Sequence, residues 1–174
     1  MKKPFPVTLL ILMMISSYSA KTQTIKDLDF LIGTWETTET IFPGTDRTYQ
    51  EAGVRTCEYY LETFIKCQAE TTVLKNGRKR QYAYFINYND RDNHFAATSI
   101  ASDFPIHGQH RWFLNEGKDT ITFVSPKNVN DDRFFRGTII HTPDDQLIWE
   151  GWSSKFTDSK EWQHLIREVA TRKE

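Results

Sequence analysis

The sequence predicts an all-β protein: a single antiparallel up-and-down β-barrel of about ten strands, preceded by a short helical turn. Three observations carry that expectation. Apolar and aromatic residues alternate with polar ones at period two in segment after segment, the pattern of strands with two unlike faces. Turn-forming clusters punctuate the chain: Pro43-Gly44, Asn76-Gly77, Asn89-Asp90, Asn115-Glu116-Gly117, Asn130-Asp131-Asp132, Pro143-Asp144-Asp145 and Asp158-Ser159. Past the N-terminal segment, no long stretch keeps helical periodicity.

The elements follow in order. Ile25, Leu28 and Leu31 mark a turn or two of helix. Strands are expected at 33–41, 47–60, 63–75, 79–89, 93–101, 109–115, 119–125, 133–141, 146–153 and 161–172. In 79–89 one face carries Tyr82, Tyr84, Ile86 and Tyr88; in 109–115 it carries His110, Trp112 and Leu114; in 119–125 it carries Ile121 and Phe123. Leu147 and Trp149 alternate with Ile148, Glu150 and Trp152. The last segment is expected to set Trp162, His164 and Ile166 on one side and Leu165, Arg167 and Val169 on the other. Sequential strands joined by short turns form a meander, and a meander loses its exposed edges by closing into a barrel. Pattern alone leaves a two-sheet sandwich open as the other arrangement.

The first twenty residues read as an export signal, and 21–174 as the barrel domain. Lys2 and Lys3 precede an apolar run from Val7 to Ile15, and Ser17-Tyr18-Ser19 places small residues where a peptidase cuts. The run is too short to anchor the chain, since a spanning helix needs about 20 apolar residues. A periplasmic or secreted location is therefore expected. Without Lys2 and Lys3 the count is 20 basic against 23 acidic residues, which argues against nucleic acid as a partner.

Export bears on the two cysteines. If the chain turns at Leu61-Glu62-Thr63, Cys57 faces Cys67 and Tyr59 faces Ile65 across a hairpin, and opposed positions are close enough for a disulfide. Two buried free thiols are the competing reading.

The segment Asp29-Phe30-Leu31-Ile32-Gly33-Thr34-Trp35-Glu36 resembles the opening of lipocalin-like (calycin) domains, in which a helical turn leads to Gly-x-Trp on the first strand. It is most similar to the bacterial lipocalin-like family DUF1579. That family's aromatic turn resembles Tyr59 to Phe64, and its tyrosine strand and turn resemble Tyr84 to Asp90. The resemblance implies that Gly33 allows the tight passage from helix to strand and that Trp35 plugs the closed end of the barrel. It also implies an arginine of the last strand stacked on Trp35, with Arg167 the first choice and Arg172 the second. More distantly the chain is similar to the haem-binding nitrobindin group, which would make His164 an iron ligand. The glycines and Tyr-Pro that follow Gly-x-Trp in that group are absent from Glu36 to Pro43.

No nucleophile elbow or phosphate-cradling loop is present. His107 and His110 lie near Asp103, but without a helix their spacing does not put them on one face, so a solvated loop is expected rather than a metal site. The 24 aromatic residues are more informative. Tyr82, Tyr84, Tyr88, Trp112, Trp149, Trp152 and Trp162 are expected to line an interior or its rim, with Tyr84 and Trp112 the first choices for ligand contact and Tyr82, Trp149 and His164 behind them. The same aromatics would otherwise fill the barrel themselves. Three functions follow: a carrier or sensor for a small apolar or amphipathic molecule, a haem protein, or an enzyme. An enzyme would need paired acid and base groups, and Glu39, Glu70 or Glu150 beside a histidine is where to look.

Overall fold

The computed structural model describes residues 23–102, 104–125, 133–155 and 160–174, and the side chains of all these except 104–107. The segment expected to be an export signal, the turn residues Asn130 to Asp132 and Asp158-Ser159, and Asp103 lie outside them.

A 3₁₀ helix, Ile25–Leu31, opens the fold. Its three residues per turn put Ile25, Leu28 and Leu31 in a single stripe, and all three are buried. Ten strands follow: β1 (Gly33–Ile41), β2 (Tyr49–Tyr60), β3 (Phe64–Val73), β4 (Lys79–Asn89), β5 (His94–Ala101), β6 (Phe104–Leu114), β7 (Thr120–Ser125), β8 (Phe134–His141), β9 (Gln146–Ser154) and β10 (Gln163–Arg172). Each pairs antiparallel with its neighbours in sequence, and β10 pairs with β1, so the sheet closes into a barrel with no free edge. The expected meander is thus present and the sandwich is not.

Two departures from expectation have local causes. Strand β6 begins at Phe104 rather than at 109: Ala101 pairs with Phe104, and a register shift between Ser99 and Ala101 takes up the segment holding Pro105, which has no N–H for the ladder. In β10 a bulge between His164 and Ile166 breaks the alternation. Ile166 pairs with Gly151 on the inner face, whereas His164 pairs with Trp152 on the outer face.

The β2–β3 hairpin turns through Leu61 and Glu62, both at positive φ, and sets Cys57 opposite Cys67 and Tyr59 opposite Ile65. The two cysteines form a disulfide across this pair, with Cα atoms 4.0 Å apart. Its loop is short, so removing it with Cys57→Ala/Cys67→Ala is expected to cost about 2–3 kcal/mol. A chemical-denaturation midpoint unchanged from the native chain would show that the hairpin needs no clip.

Trp35 is fully buried under the helix and donates its indole N–H to Leu31 O at 2.9 Å. Arg172, its cross-strand partner, lays its guanidinium over the indole at 4.2 Å. Arg172 also donates to Ile32 O (2.6 Å), Phe30 O (3.3 Å) and Asp145 Oδ2 (2.5 Å). The carbonyls left over at the helix C-terminus are satisfied in this way by the barrel itself. Gly33 has φ +130°, and a Cβ there would sit 2.4 Å from an Arg172 guanidinium nitrogen, so both the turn and the arginine require glycine. The expected arginine on Trp35 is therefore Arg172. Arg167 lies one residue out of phase with the inner face, points outward and pairs with Glu150 at 3.5 Å.

Candidate functional site

Register decides which side chains face the lumen. Trp35 points inward, and its parity on β1 carries Thr37, Glu39 and Ile41 inward with it, all buried. Glu39 pairs with Glu51 on β2 and with Glu168 on β10, and Glu168 pairs with Trp149 on β9. Three glutamates therefore stand side by side across three adjacent strands, each no more than 1% exposed. Like charges on directly opposed positions repel, and a buried carboxylate needs a partner.

Two have one. Arg55, buried on β2, holds Glu168 at 2.5 Å, and Arg80 on β4 holds both oxygens of Glu51 at 3.0 Å. Thr71 donates to Glu51 at 2.7 Å. Among the described residues Glu39 receives only the Tyr82 hydroxyl at 2.7 Å, and the same hydroxyl reaches Glu168 at 3.3 Å. Burial, then the neighbouring Glu168 and Glu51, lift the Glu39 carboxyl from an ordinary 4.5 to about 8, against the pull of Tyr82 and Arg80. At neutral pH it keeps its proton.

Beside this polar row stands an aromatic wall. Tyr84 packs edge-on against Trp149 at 5.5 Å and tilts toward Trp112 at 6.4 Å. Phe123 closes the group against Trp149 (5.9 Å) and Trp112 (6.4 Å). Phe123 fits because Gly137 lies beneath its ring: a Cβ at 137 would be 2.3 Å from Phe123 Cζ. Burial raises the Tyr82 and Tyr84 phenols well above their ordinary value. Yet Tyr82, Tyr84 and Trp149 keep partial exposure, unlike the fully buried Trp35, Ile65, Ile86, Ile121 and Leu147 near the helix. Tyr82, Tyr84 and Trp149 are therefore the part of the inward-facing wall that is not sealed by packing. On this wall the Trp149 indole N–H and the Thr37 hydroxyl are both buried and make no hydrogen bond among the described residues.

His110 also faces inward, bridging Ser99 (3.1 Å) and Ser125 (2.6 Å), and burial lowers it from 6.5 to about 4. The expected solvated loop is therefore corrected at this residue: His110 is a neutral imidazole on β6, hydrogen-bonded at both ring nitrogens. The side chain of His107 lies outside the described ones.

Tyr82, Tyr84, Trp112 and Trp149 are thus brought together in the lumen, and Tyr88 is on the same inner face, packed on Phe95. His164 is not. The β10 bulge turns it out, where it stacks on Trp152 at 5.1 Å and meets Glu150 at 3.2 Å, so it has no access to a lumen ligand or to haem held there. Trp162 is outside too, under the Arg136 guanidinium. Of the three glutamates singled out from the sequence, Glu39 is in the lumen. Glu70 and Glu150 are on the outer face, bound to Lys79 and to His164 and Arg167. Sequence reading missed Glu51, Glu168, Arg55, Arg80 and Thr37. Strand parity counted from Trp35 reaches Thr37 as well as Glu39, but nothing local marks the others as internal.

A groove of about 560 Å³ runs along β3–β5, lined by outer-face residues such as Gln68, Glu70, Gln81 and Ile100 and also by Ala69 and Tyr82. Its polar groups largely satisfy one another: Glu70 accepts from Lys79 and Gln81, and Ser102 accepts from Gln81 N.

No protein-family profile matches the chain, and no curated protein matches it. Solved structures do. Rv2717c from M. tuberculosis superposes with a TM-score of 0.62 at 10% identity, covering 86% of this chain and 96% of that one. A designed barrel, EF1p2_mFAP2b bound to DFHBI, gives a TM-score of 0.45 at 13% identity over 85% of this chain and 98% of its own. The redesigned barrel b11L5F_LGL gives 0.45 at 15% identity over 87% and 100%. The similarity to Rv2717c is one of fold, and the designed barrels are too distant to argue from.

Proposed function

We propose that this chain is an exported carrier or sensor that holds a small apolar or amphipathic molecule inside its barrel. The observation that carries the reading is the inward-facing wall: Tyr82, Tyr84 and Trp149 partly exposed, beside a Thr37 hydroxyl and a Trp149 indole N–H that are buried and have no partner among the described residues. Aromatic walls with a few placed polar groups are the usual lining of a small-molecule site. The signal-like first twenty residues and the Cys57–Cys67 disulfide support export, because disulfides persist in oxidising compartments.

Titration with the neutral fluorophore N-phenylnaphthylamine tests it. Saturable binding at one site, with energy transfer from the lumen tryptophans, is the expected result. Trp149→Ala should weaken it by about 0.5–1.5 kcal/mol, several-fold in affinity. Linear, unsaturable partitioning would mean that the lumen takes no ligand.

A further inference from the structure

We infer that the ligand of this lumen carries a cationic nitrogen, an ammonium group on an apolar body, and that Glu39 receives it. This rests on the reading of the lumen as a small-molecule site and gives that site its chemistry. The charged and titratable groups around Glu39 come from three strands: Glu51 and Arg55 on β2, Arg80, Tyr82 and Tyr84 on β4, and Glu168 on β10. Arg55 is spent on Glu168 and Arg80 on Glu51, which leaves the row one carboxyl in surplus. That carboxyl is 1% exposed and has, among the described residues, a single hydroxyl for a hydrogen-bond partner.

A second feature points the same way. The Thr37 hydroxyl, on a residue 3% exposed, faces inward two residues before Glu39 on the same strand and makes no hydrogen bond among the described residues. An ammonium has several N–H donors and no acceptor, so it can serve the Thr37 oxygen and the Glu39 carboxylate together. Trp149 flanks Glu168 in register, with Tyr84 against it, and aromatic faces attract a desolvated cation. A carboxylate or phosphate head would meet the surplus acid instead. A divalent metal ion, which needs several free oxygen ligands, would find two of the three carboxylates already on guanidiniums. When the ammonium binds, the Glu39 proton passes to solvent and the carboxylate pairs with the ligand.

Isothermal titration of the full chain with octylamine, octanol and octanoate separates the possibilities. The amine is expected to bind about 10-fold or more tightly than the alcohol, and octanoate most weakly. Repeating the amine titration at about pH 6.5 in two buffers of different ionisation enthalpy should show close to one proton released, and none for the alcohol. Glu39→Gln should abolish both the amine preference and the proton release. Thr37→Val should reduce the amine's affinity more than the alcohol's. Equal affinities for amine and alcohol, tighter octanoate, or a preference that survives Glu39→Gln would overturn the inference while leaving the lumen as a binding site. If none of the three binds, the inference falls; if the neutral fluorophore also fails to bind, the site reading falls with it.

Discussion

Glu39→Gln is expected to stabilise the protein increasingly as pH rises, by on the order of 4 kcal/mol more at pH 8 than at pH 4.5. The sign follows from proton counting. In the unfolded chain Glu39 ionises near 4.5, whereas in the barrel it holds its proton to about 8. Between those values the folded state binds the extra proton, so stability is full below the lower value and is lost as pH rises toward the upper one. A glutamine side chain in its place cannot ionise, so that loss disappears. His110 acts in the opposite direction. It is depressed from 6.5 to about 4, so its contribution is present above 6.5 and is lost as pH falls toward 4. The two slopes oppose each other between about 4.5 and 6.5, which leaves the native chain nearly level there and declining from 6.5 to 8. Glu39→Gln exposes the His110 slope alone, rising to pH 6.5 and then flat. Urea unfolding of both proteins across this range measures it. Parallel curves would mean that Glu39 is ionised in the folded state, with a compensating cation already in place.

The second large effect is at the closed end. Trp35→Ala should cost about 3–5 kcal/mol, a fall in melting temperature of roughly 10 °C for a chain of this size. The indole is fully buried, and its loss removes the floor on which Leu28 and Leu31 rest and the bond to Leu31 O. Arg172→Ala should cost about 1.5–3 kcal/mol, because its charge-assisted bonds to Asp145 and to the carbonyls of Phe30 and Ile32 all go. Arg167→Ala should cost less than about 0.5 kcal/mol, since its pairing with Glu150 is on the surface. Thermal melts of the three variants rank them. If Arg167→Ala proved as damaging as Arg172→Ala, the closure assigned to Arg172 would be wrong.

Particular residues show how far the chain could be read unaided. The hairpin that sets Cys57 against Cys67 was legible because two local facts, a turn at Leu61-Glu62 and one cysteine on each side of it, determine the pairing. The lumen tyrosines and tryptophans were legible as one face of their strands for the same reason. His164 was misread because a bulge of one residue reverses the side chains beyond it, and the composition of 161–172 does not announce a bulge. Arg167 was a choice between two arginines of one strand, and only the pairing of Trp35 with Arg172 decides between them. The outer-face residues Glu70 and Glu150 looked equivalent to Glu39 because a glutamate on an alternating strand carries no mark of which face is inside.

The sequence by itself determined that the chain is all-β, that a short helix precedes Gly33 and Trp35, and that a turn at Leu61-Glu62 would set Cys57 opposite Cys67, while the meander and the disulfide each kept a competing reading until the structure decided. These are consequences of periodicity and turn chemistry, which act over a few residues. Only the tertiary structure decided that β10 closes on β1, that Arg172 rather than Arg167 covers Trp35, and that Glu51, Glu39 and Glu168 form one buried row. Glu39 and Glu168 are far apart in the chain and become neighbours only when the barrel closes, and no local rule foretells that a closed sheet will leave one carboxyl without a counter-charge.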